Sequence, residues 1–165
     1  MHYLGLLDTS IRTCNQGDYI IVESVKRELC SCLGSSFVIE LPTHSPVMRP
    51  GEFGLRPERN SDYLALKRME CAFLCGTNLL ARDVTSKWNQ WNLQEGDLAV
   101  LGGKVIAVGV GSAPGFDAFS RRAARLYSSA FSSEYVHSAR DERTRVLLES
   151  CGLRALNTGC ATMWM

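Results

Sequence analysis

The sequence lacks a long apolar run, an excess of charge of one sign, and a recognisable leader segment. Its longest apolar run, residues 105–111, is far shorter than the roughly 20 residues that a membrane-spanning helix needs. The 18 basic and 17 acidic side chains leave a net charge of +1, which gives no reason to expect nucleic acid or an anionic membrane as a partner. We expect no secretion signal, because the apolar residues 3–7 are few and run directly into Asp8.

Metal-ligand patterns are also scarce. The chain has three histidines and seven irregularly spaced cysteines, and its two close pairs, Cys30/Cys32 and Cys71/Cys75, have no matching second pair. A structural zinc ion needs four converging ligands, so we expect no metal site. An odd number of cysteines without a secretion signal favours reduced thiols and a cytoplasmic location.

The residues that are present follow a pattern typical of one globular domain. Of 165 residues, 45% are apolar and 21% are charged, which is enough to bury a sizeable core and too apolar for a disordered chain. Short apolar runs alternate with longer segments of helical periodicity. The predicted strands are residues 3–7, 36–41, 71–75, 105–110, 134–139 and 153–157. The predicted helices are residues 19–33, 58–68, 116–132 and 141–151, and Gly34 is expected to end the first of them as a left-handed cap. The segment 79–101 is expected to contain one more helix and a turn at 95–97.

These elements predict the fold class. Strands that read as continuous apolar runs are buried on both faces, and helices between them make right-handed crossovers. The sequence therefore predicts an open, doubly wound, mainly parallel α/β sheet of about six strands with helices on both faces. Ligands bind beyond the carboxyl ends of the strands in such sheets, where this chain has polar or glycine-rich segments at 15–18, 76–78, 109–115 and 140–143.

The charged candidates in these segments leave alternatives open. Asp18 either caps the first helix or contacts a ligand. Arg140 either clamps an anion or forms an ion pair with Asp18 or Asp141. The glycines within 109–115 differ in spacing from a dinucleotide-binding motif, so they favour a general anion or sugar cradle over a nicotinamide site.

The histidines and arginines add two further hypotheses. His44, in a proline-rich loop at 42–57, is the one histidine placed to act as a base in a cleft, whereas His137, within a strand, is expected to pack in the core. Seven arginines and no lysine follow position 120. Their guanidinium groups suit carboxylate or phosphate recognition, and the alternative is a set of solvated helix faces.

Four segments of the chain carry a resemblance to one family. They are residues 14–18 (CNQGD) before an apolar helix, residues 73–80 (FLCGTNLL), residues 103–111 (GKVIAVGVG), and residues 138–153 with 157–161 (SARDERTRVLLESCGL and NTGCA). In the same order they resemble the N-x-G-D, G-G-x-N-L, G-K-x-V…G-x-G and R-D-E…L-L…L-G…T-G-[CD]-P segments of the polysaccharide pyruvyltransferase family. The resemblance covers nearly the whole chain.

The resemblance implies a fold and an activity. Members of this family resemble two-domain glycosyltransferases of the B type, and the chain would be their N-terminal Rossmann-like half. They move the pyruvyl group of phosphoenolpyruvate, a co-substrate, onto a pair of hydroxyls of a surface polysaccharide, so a glycan or lipid-linked sugar is the implied acceptor and no cofactor is implied. The substrate-binding residues implied on this sequence are Asn15, Gly17, Asp18, Gly76, Asn78, Gly111 and Arg140.

Departures from the family pattern qualify that activity. Gly76-Thr77 stands where the family usually has two glycines, and Cys160-Ala161 stands where proline usually follows. The family would continue into a second domain, so we expect the 165 residues to be an N-terminal half that is incomplete for catalysis and to form a homodimer through exposed apolar surface. The alternatives are a non-catalytic sugar- or anion-binding or assembly module, and half of a sugar-nucleotide glycosyltransferase.

Overall fold

Six parallel strands form one sheet in the computed structural model, which describes residues 2–48, 57–86 and 89–164. The strands are β1 (His2–Asp8), β2 (Ser36–Pro42), β3 (Cys71–Leu80), β4 (Val105–Ser112), β5 (His137–Ala139) and β6 (Ala155–Asn157). Their spatial order is β2-β1-β3-β4-β5-β6, and every neighbouring pair is parallel. The predicted doubly wound α/β sheet is confirmed.

Helices cover both faces of this sheet. The helices are α1 (Gln16–Glu28), α2 (Cys30–Leu33), α3 (Ser61–Arg68), α4 (Leu98–Leu101), α5 (Arg121–Ala130) and α6 (Glu142–Ser150), with 3₁₀ turns at Pro57–Arg59, Glu95–Asp97 and Ala161–Met163. One face, which we call the α1 face, packs α1 and the last 3₁₀ turn against Leu6 and Val108. The other, the α5 face, packs α3, α4, α5 and α6 around a larger core.

The α5 face contains an aromatic cluster. The Trp91 ring stacks on Tyr127 at 5.8 Å and meets Phe131 edge-on at 5.5 Å between centroids. The Tyr127 hydroxyl is satisfied within the cluster, because it accepts from the Ala81 N–H at 3.0 Å and donates to the Ala81 carbonyl at 3.3 Å. Burial raises the pKa of Tyr127, so this hydroxyl stays neutral.

The predicted helix at 19–33 ends at Leu33 as expected, but it is interrupted and its cap has a different conformation. The chain forms α1 and then a separate short α2, with Leu29 between them. Gly34 has a φ of −64°, a right-handed conformation, so it is not the left-handed cap that its position suggested. The first helix also begins three residues earlier than predicted, because the side chain of Asn15 caps it by accepting from the Gly17 N–H.

Strands β3 and β4 are longer than predicted. Strand β3 runs past Cys75 and β4 runs past Val110, their predicted ends. Gly76 and Gly109 lie opposite each other in the register, and both have positive φ, +36° and +64°. Pairing resumes at once between Thr77 and Val110. A glycine-rich segment therefore interrupts the ladder without ending it, which places 76–78 inside a strand rather than after it.

The segment from 79 to 101 contains the predicted helix and turn, but the helix is short. Among its described residues the only helix is α4, at the end, and the predicted turn at 95–97 is a 3₁₀ turn. Residues 81–86 and 89–94 run irregularly across the α5 face, where Trp91 and Leu93 are buried. The apolar residues that suggested a helix thus anchor a coil, and Trp88 lies outside the described residues.

The remaining elements agree in type and differ in length. Helix α5 begins at Arg121 because the Ser120 side chain accepts from the Ala123 N–H, which leaves Phe116 in the preceding loop. Strands β5 and β6 have three residues each. Of the proline-rich loop, 43–48 is irregular and 49–56 lies outside the described residues. Within the described ranges no helix has the length and apolar character needed to cross a bilayer.

Candidate functional site

The sheet has a topological switch point between β1 and β3. From β1 the chain moves to β2 on one side, and from β2 it returns to β3 on the other side, so the loops after β1 and β3 diverge to opposite faces. A crevice opens between such loops at the carboxyl edge of the sheet, and it is the usual ligand site of doubly wound folds. The predicted residues at 15–18 and 76–78 border this crevice.

The backbone on both sides of the crevice is unusual. Two non-glycine residues of the described ranges have positive φ, Arg12 at 65° in the loop after β1 and Thr77 at 62° in β3. A β-branched residue in this region is a real outlier, and such strain concentrates at functional sites. Both outliers lie at the carboxyl edge, one from each strand that borders the switch point.

Asp18 is not the N-terminal cap of α1. Asn15 is the cap, and Asp18, although buried, instead accepts from Thr13 Oγ1 at 2.9 Å and from Asn15 Nδ2 at 3.1 Å. Asp18 therefore holds the loop after β1 in place from within the first helical turn. Gly17 supplies the N–H that Asn15 Oδ1 accepts at 3.0 Å, so these three predicted residues form one connected unit.

Gly76 has a packing function in the structure. A Cβ built on it would lie 2.1 Å from Ile21 Cγ2, so only a glycine lets α1 approach β3 this closely. Its hydrogen-atom side chain faces the helix. The residue contributes to the crevice by setting the position of α1, whose N-terminal turn carries Asn15 and Asp18.

Asn78, Gly111 and Arg140 converge in one line across three strands. Asn78 pairs with Gly111, and Ala139 pairs with Val110, so Arg140 follows β5 beside Gly111. Arg140 Nη2 donates to Asn78 Oδ1 at 2.6 Å. A Cβ on Gly111 would lie 2.7 Å from that oxygen and 3.1 Å from Arg140 Nε, so glycine here leaves the space through which the guanidinium crosses β4.

Neither predicted ion pair of Arg140 forms in the described part of the chain. Asp141 instead caps α6 by accepting from the Thr144 N–H at 2.8 Å, and Asp18 is engaged as described above. Across residues 2–48, 57–86 and 89–164 no carboxylate lies within salt-bridge distance of Arg140. Its positive charge, half-exposed and oriented by a neutral amide, is therefore available to an anion.

His44 lies above the carboxyl ends of β1 and β2. Its Nε2 is 3.2 Å from the backbone carbonyl of Thr9, and because a carbonyl only accepts, this nitrogen carries the proton. The ring thus ties the loop after β2 to the loop after β1. Nearby, the buried hydroxyls of Thr9, Thr43 and Ser45 have no hydrogen-bond partner among the described residues.

A partly buried ionic cluster at the same edge was missed by the sequence analysis. Lys26 Nζ lies 3.3 Å from Asp8 Oδ2 and 2.9 Å from Glu40 Oε1, so it joins α1 to the ends of β1 and β2. Burial lowers the pKa of Lys26, but the bond to Glu40 and the charge of Asp8 outweigh this and raise it above its ordinary value. An acid directly after an apolar strand was the available signal.

Most of the arginines after position 120 have structural partners. Arg145 pairs with Glu142 and Glu149 along α6, and Arg122 pairs with Glu95 at 3.4 Å. Two others hold backbone carbonyls: Arg143 bonds to that of Phe116, and Arg154 to that of Glu134. The arginine-rich third therefore serves mainly helix faces and loop anchoring, and Arg140 differs from these four because its guanidinium bonds to a side-chain amide, that of Asn78.

The cysteine thiols and the core histidine do not form a reactive or metal-binding cluster in the described ranges. All seven cysteines are unpaired, and no group of three or more His, Cys, Asp or Glu residues in the described ranges could hold a metal ion. Burial raises the pKa of the Cys75 thiol, so it stays protonated in the core. His137 is fully buried, as predicted: its Nδ1 accepts from the Ala107 N–H at 3.2 Å and its Nε2 donates to the Ser132 carbonyl at 2.9 Å.

No protein-family model, curated protein sequence or solved structure significantly matches this chain. Its site is therefore characterised by its own geometry: a crevice at the switch point, a fixed α1 N-terminus on one side, and a guanidinium held over Gly111 on the other.

Proposed function

We propose that this chain is a polysaccharide pyruvyltransferase-like protein that transfers the pyruvyl group of phosphoenolpyruvate to a pair of sugar hydroxyls of a surface polysaccharide. One observation carries the proposal: Arg140 is held by Asn78 over Gly111 at the carboxyl edge, without a carboxylate partner in the described ranges. The segments that resemble the family supply these three residues as well as Asn15, Gly17 and Asp18 on the other side of the crevice.

The chemistry of the reaction fits a guanidinium at this place. One sugar hydroxyl adds to the enol carbon of phosphoenolpyruvate while its methylene gains a proton, and the second hydroxyl then displaces phosphate to form the ketal. The hydroxyl protons are accounted for by the new methyl group and the released hydrogen phosphate. Donor, product ketal and phosphate all carry oxyanions, which the planar guanidinium fork binds with two parallel hydrogen bonds.

The division of work between domains belongs to the same proposal. An open carboxyl edge offers one wall of a cleft, and a second wall is needed to exclude water and to align donor with acceptor. We propose that a second domain supplies this wall and further basic residues, and that the present chain places the acceptor and one anionic group.

Titration of the full 165-residue chain with phosphoenolpyruvate tests the anion site. We expect binding by calorimetry, and at least about tenfold weaker binding for Arg140→Gln, because a charged hydrogen bond contributes about 1.5–3 kcal/mol. Arg122→Gln is the matched control, since that arginine pairs with Glu95 on a helix surface. Absence of binding in the unchanged chain, or equal weakening by both substitutions, contradicts the proposal.

Turnover separates transfer from binding alone. Phosphate release and ketal formation, followed by ³¹P and ¹³C NMR with phosphoenolpyruvate and hexose acceptors, are expected when the second wall is present. One observation favours the alternative of a non-catalytic anion- or sugar-binding module: the one histidine at the crevice, His44, is committed to the Thr9 carbonyl. Phosphoenolpyruvate binding without phosphate release in the two-domain form would establish that module instead.

A further inference from the structure

The outer edge of β2 is an open strand with none of the usual protection. Its seven residues pair with β1 in an unbroken register from Ser36 to Pro42, and no strand of the described ranges pairs with its other side. Natural edge strands are blocked by lysine, internal proline, bulges or short length. Here the only proline is the last residue, and the only charge, Glu40, is already paired with Lys26.

The side chains of this edge form an apolar stripe on the α5 face. Phe37, Ile39 and Leu41 alternate onto that face, and Phe37 is 47% exposed. Beside them lies a groove of about 350 Å³ whose remaining lining comes from Val47 and from α3. An apolar strand with free backbone donors and acceptors, flanked by an apolar groove, is the arrangement that pairs with a further strand.

We propose that two copies of this chain pair antiparallel through β2, about a two-fold axis at Ile39, and so join two six-stranded sheets into one continuous sheet. A two-fold axis between edge strands makes them antiparallel, and each residue pair must occur twice. The axis at Ile39 places Phe37 opposite Leu41 of the partner subunit, and Leu41 opposite the partner's Phe37. The apolar stripe is therefore complementary to itself.

The charges of α3 are complementary under the same axis. Helix α3 begins at the carboxyl end of the sheet with Asp62 and ends near its amino end with Arg68, whose guanidinium lies 5.9 Å over the ring of Tyr3. The Tyr3 ring lies 5.3 Å from that of Phe37, so Arg68 is at the Phe37 end of β2. An antiparallel copy brings Asp62 of the partner subunit to this end, where opposite charges meet twice.

A second apolar surface is the alternative contact, and it lacks an open strand edge. It lies on the α1 face at the amino ends of the strands, where Phe73, Ile106, Tyr135 and Val136 line a groove of about 480 Å³. Phe73 and Ile106 belong to β3 and β4, whose backbones are already paired on both sides, so they offer a second copy no free strand. We therefore assign self-association to β2, and this assignment is independent of the proposed function.

The mass of the chain in solution tests the proposal directly. Light scattering at tens of micromolar should give twice the 18.3 kDa chain mass. Phe37→Lys should raise the dissociation constant at least about tenfold, because it places a lysine against Leu41 of the partner subunit at two symmetric positions. Val146→Lys, at an equally exposed position on α6, is the matched control and should leave the dimer intact. A monomeric unchanged chain, or a dimer equally resistant to both substitutions, overturns the proposal.

Two further measurements locate the contact. Amides of 37–41 should exchange more slowly at 100 µM than at 1 µM; concentration-dependent protection at Tyr135 and Val136 without it at 37–41 would refute the β2 contact. Arg68→Glu should weaken the dimer about two- to fivefold, the scale of exposed ion pairs, and adding Asp62→Arg should restore it. If Arg68→Glu weakens the dimer and adding Asp62→Arg does not restore its affinity, the charge pairing is rejected.

Discussion

The two faces of the sheet are built very unequally. On the α5 face, four helices and the coil segments 81–86 and 89–94 cover a continuous core that runs from Leu7 to Ala155. On the α1 face, one long helix and the last 3₁₀ turn cover a small cluster, and a groove lined by Phe73 and Ile106 stays open. The same strands thus present a closed face and a partly open one.

The difference follows from strand order and handedness. Every connection from β2 onward moves across the sheet in one direction, and right-handed crossovers place all of them on the same face. Only the β1-to-β2 connection moves in the other direction, so it places α1 on the opposite face of the sheet, where few other elements pack. Stability is therefore concentrated on the α5 face, whereas the α1 face positions the N-terminal side of the crevice.

Matched truncations of two phenylalanines should show the largest difference in stability between the two faces. Phe131→Ala on the α5 face should lower the free energy of unfolding by about 3–5 kcal/mol, because the ring is 2% exposed and packs against Trp91. Phe73→Ala on the α1 face should cost about half as much or less, since its ring is half-buried beside the open groove. Urea unfolding measures both, and equal losses would show that the faces are equally packed.

A pair of glycine substitutions isolates the one tight contact of the α1 face. Gly76→Ala and Gly103→Ala both strain a left-handed backbone, but only the Cβ at 76 meets a neighbour, Ile21. Gly76→Ala should therefore destabilise by about 1–3 kcal/mol beyond Gly103→Ala, the scale of core overpacking. Thermal unfolding of the two variants gives the difference, and similar values would mean that α1 moves away without penalty.

The core of the α5 face should make stability depend on pH, because it contains the His137 ring, which meets Phe131 edge-on. Burial lowers the pKa of His137 below its ordinary 6.5, so below pH 6.5 the unfolded chain binds the extra proton. Its stabilising effect is complete above pH 6.5 and is lost as pH falls toward the folded-state pKa, at no more than about 1.4 kcal/mol per pH unit.

The control for this effect is His137→Gln. Urea unfolding between pH 5.5 and 7.5 should show a weaker slope in the variant, because the glutamine does not titrate. A slope that persists unchanged would show that the pH dependence does not come from His137.

The order and type of the elements could be predicted because each depends on local apolar patterning. Continuous runs such as 105–110 indicate strands buried on both faces. The ends could not be predicted where tertiary pairing decides them. Gly76 and Thr77 are typical of a loop, and only the equally left-handed Gly109 on the neighbouring strand lets the ladder continue. Trp91 similarly suggested a helix, although its burial comes from contacts with α5.

The candidate site shows the same division. Position after a predicted strand selected Arg140 and the segments 76–78 and 109–115, since parallel strands end at one edge. The family resemblance then singled out Asn78 and Gly111 within those segments. Their contact depends on the neighbouring order of β3, β4 and β5, which one sequence does not contain. Asp8 at the end of an apolar run is a local signal for a buried acid, but its partner Lys26 lies 18 positions away on a helix, so no local pattern reveals the ion pair.

The unequal strand lengths imply a direction in which the native sheet opens. Strand β6 is held by three registered pairs to β5, and β5 shares one registered pair with β4, whereas β1 is paired along both sides in the sheet interior. Local unfolding favours segments with little backbone pairing, so we expect β6 and β5 to open before the interior strands. Because β5 leads directly into Arg140, the guanidinium at the crevice belongs to this weakly paired edge, while Asn78, its partner, lies on an interior strand.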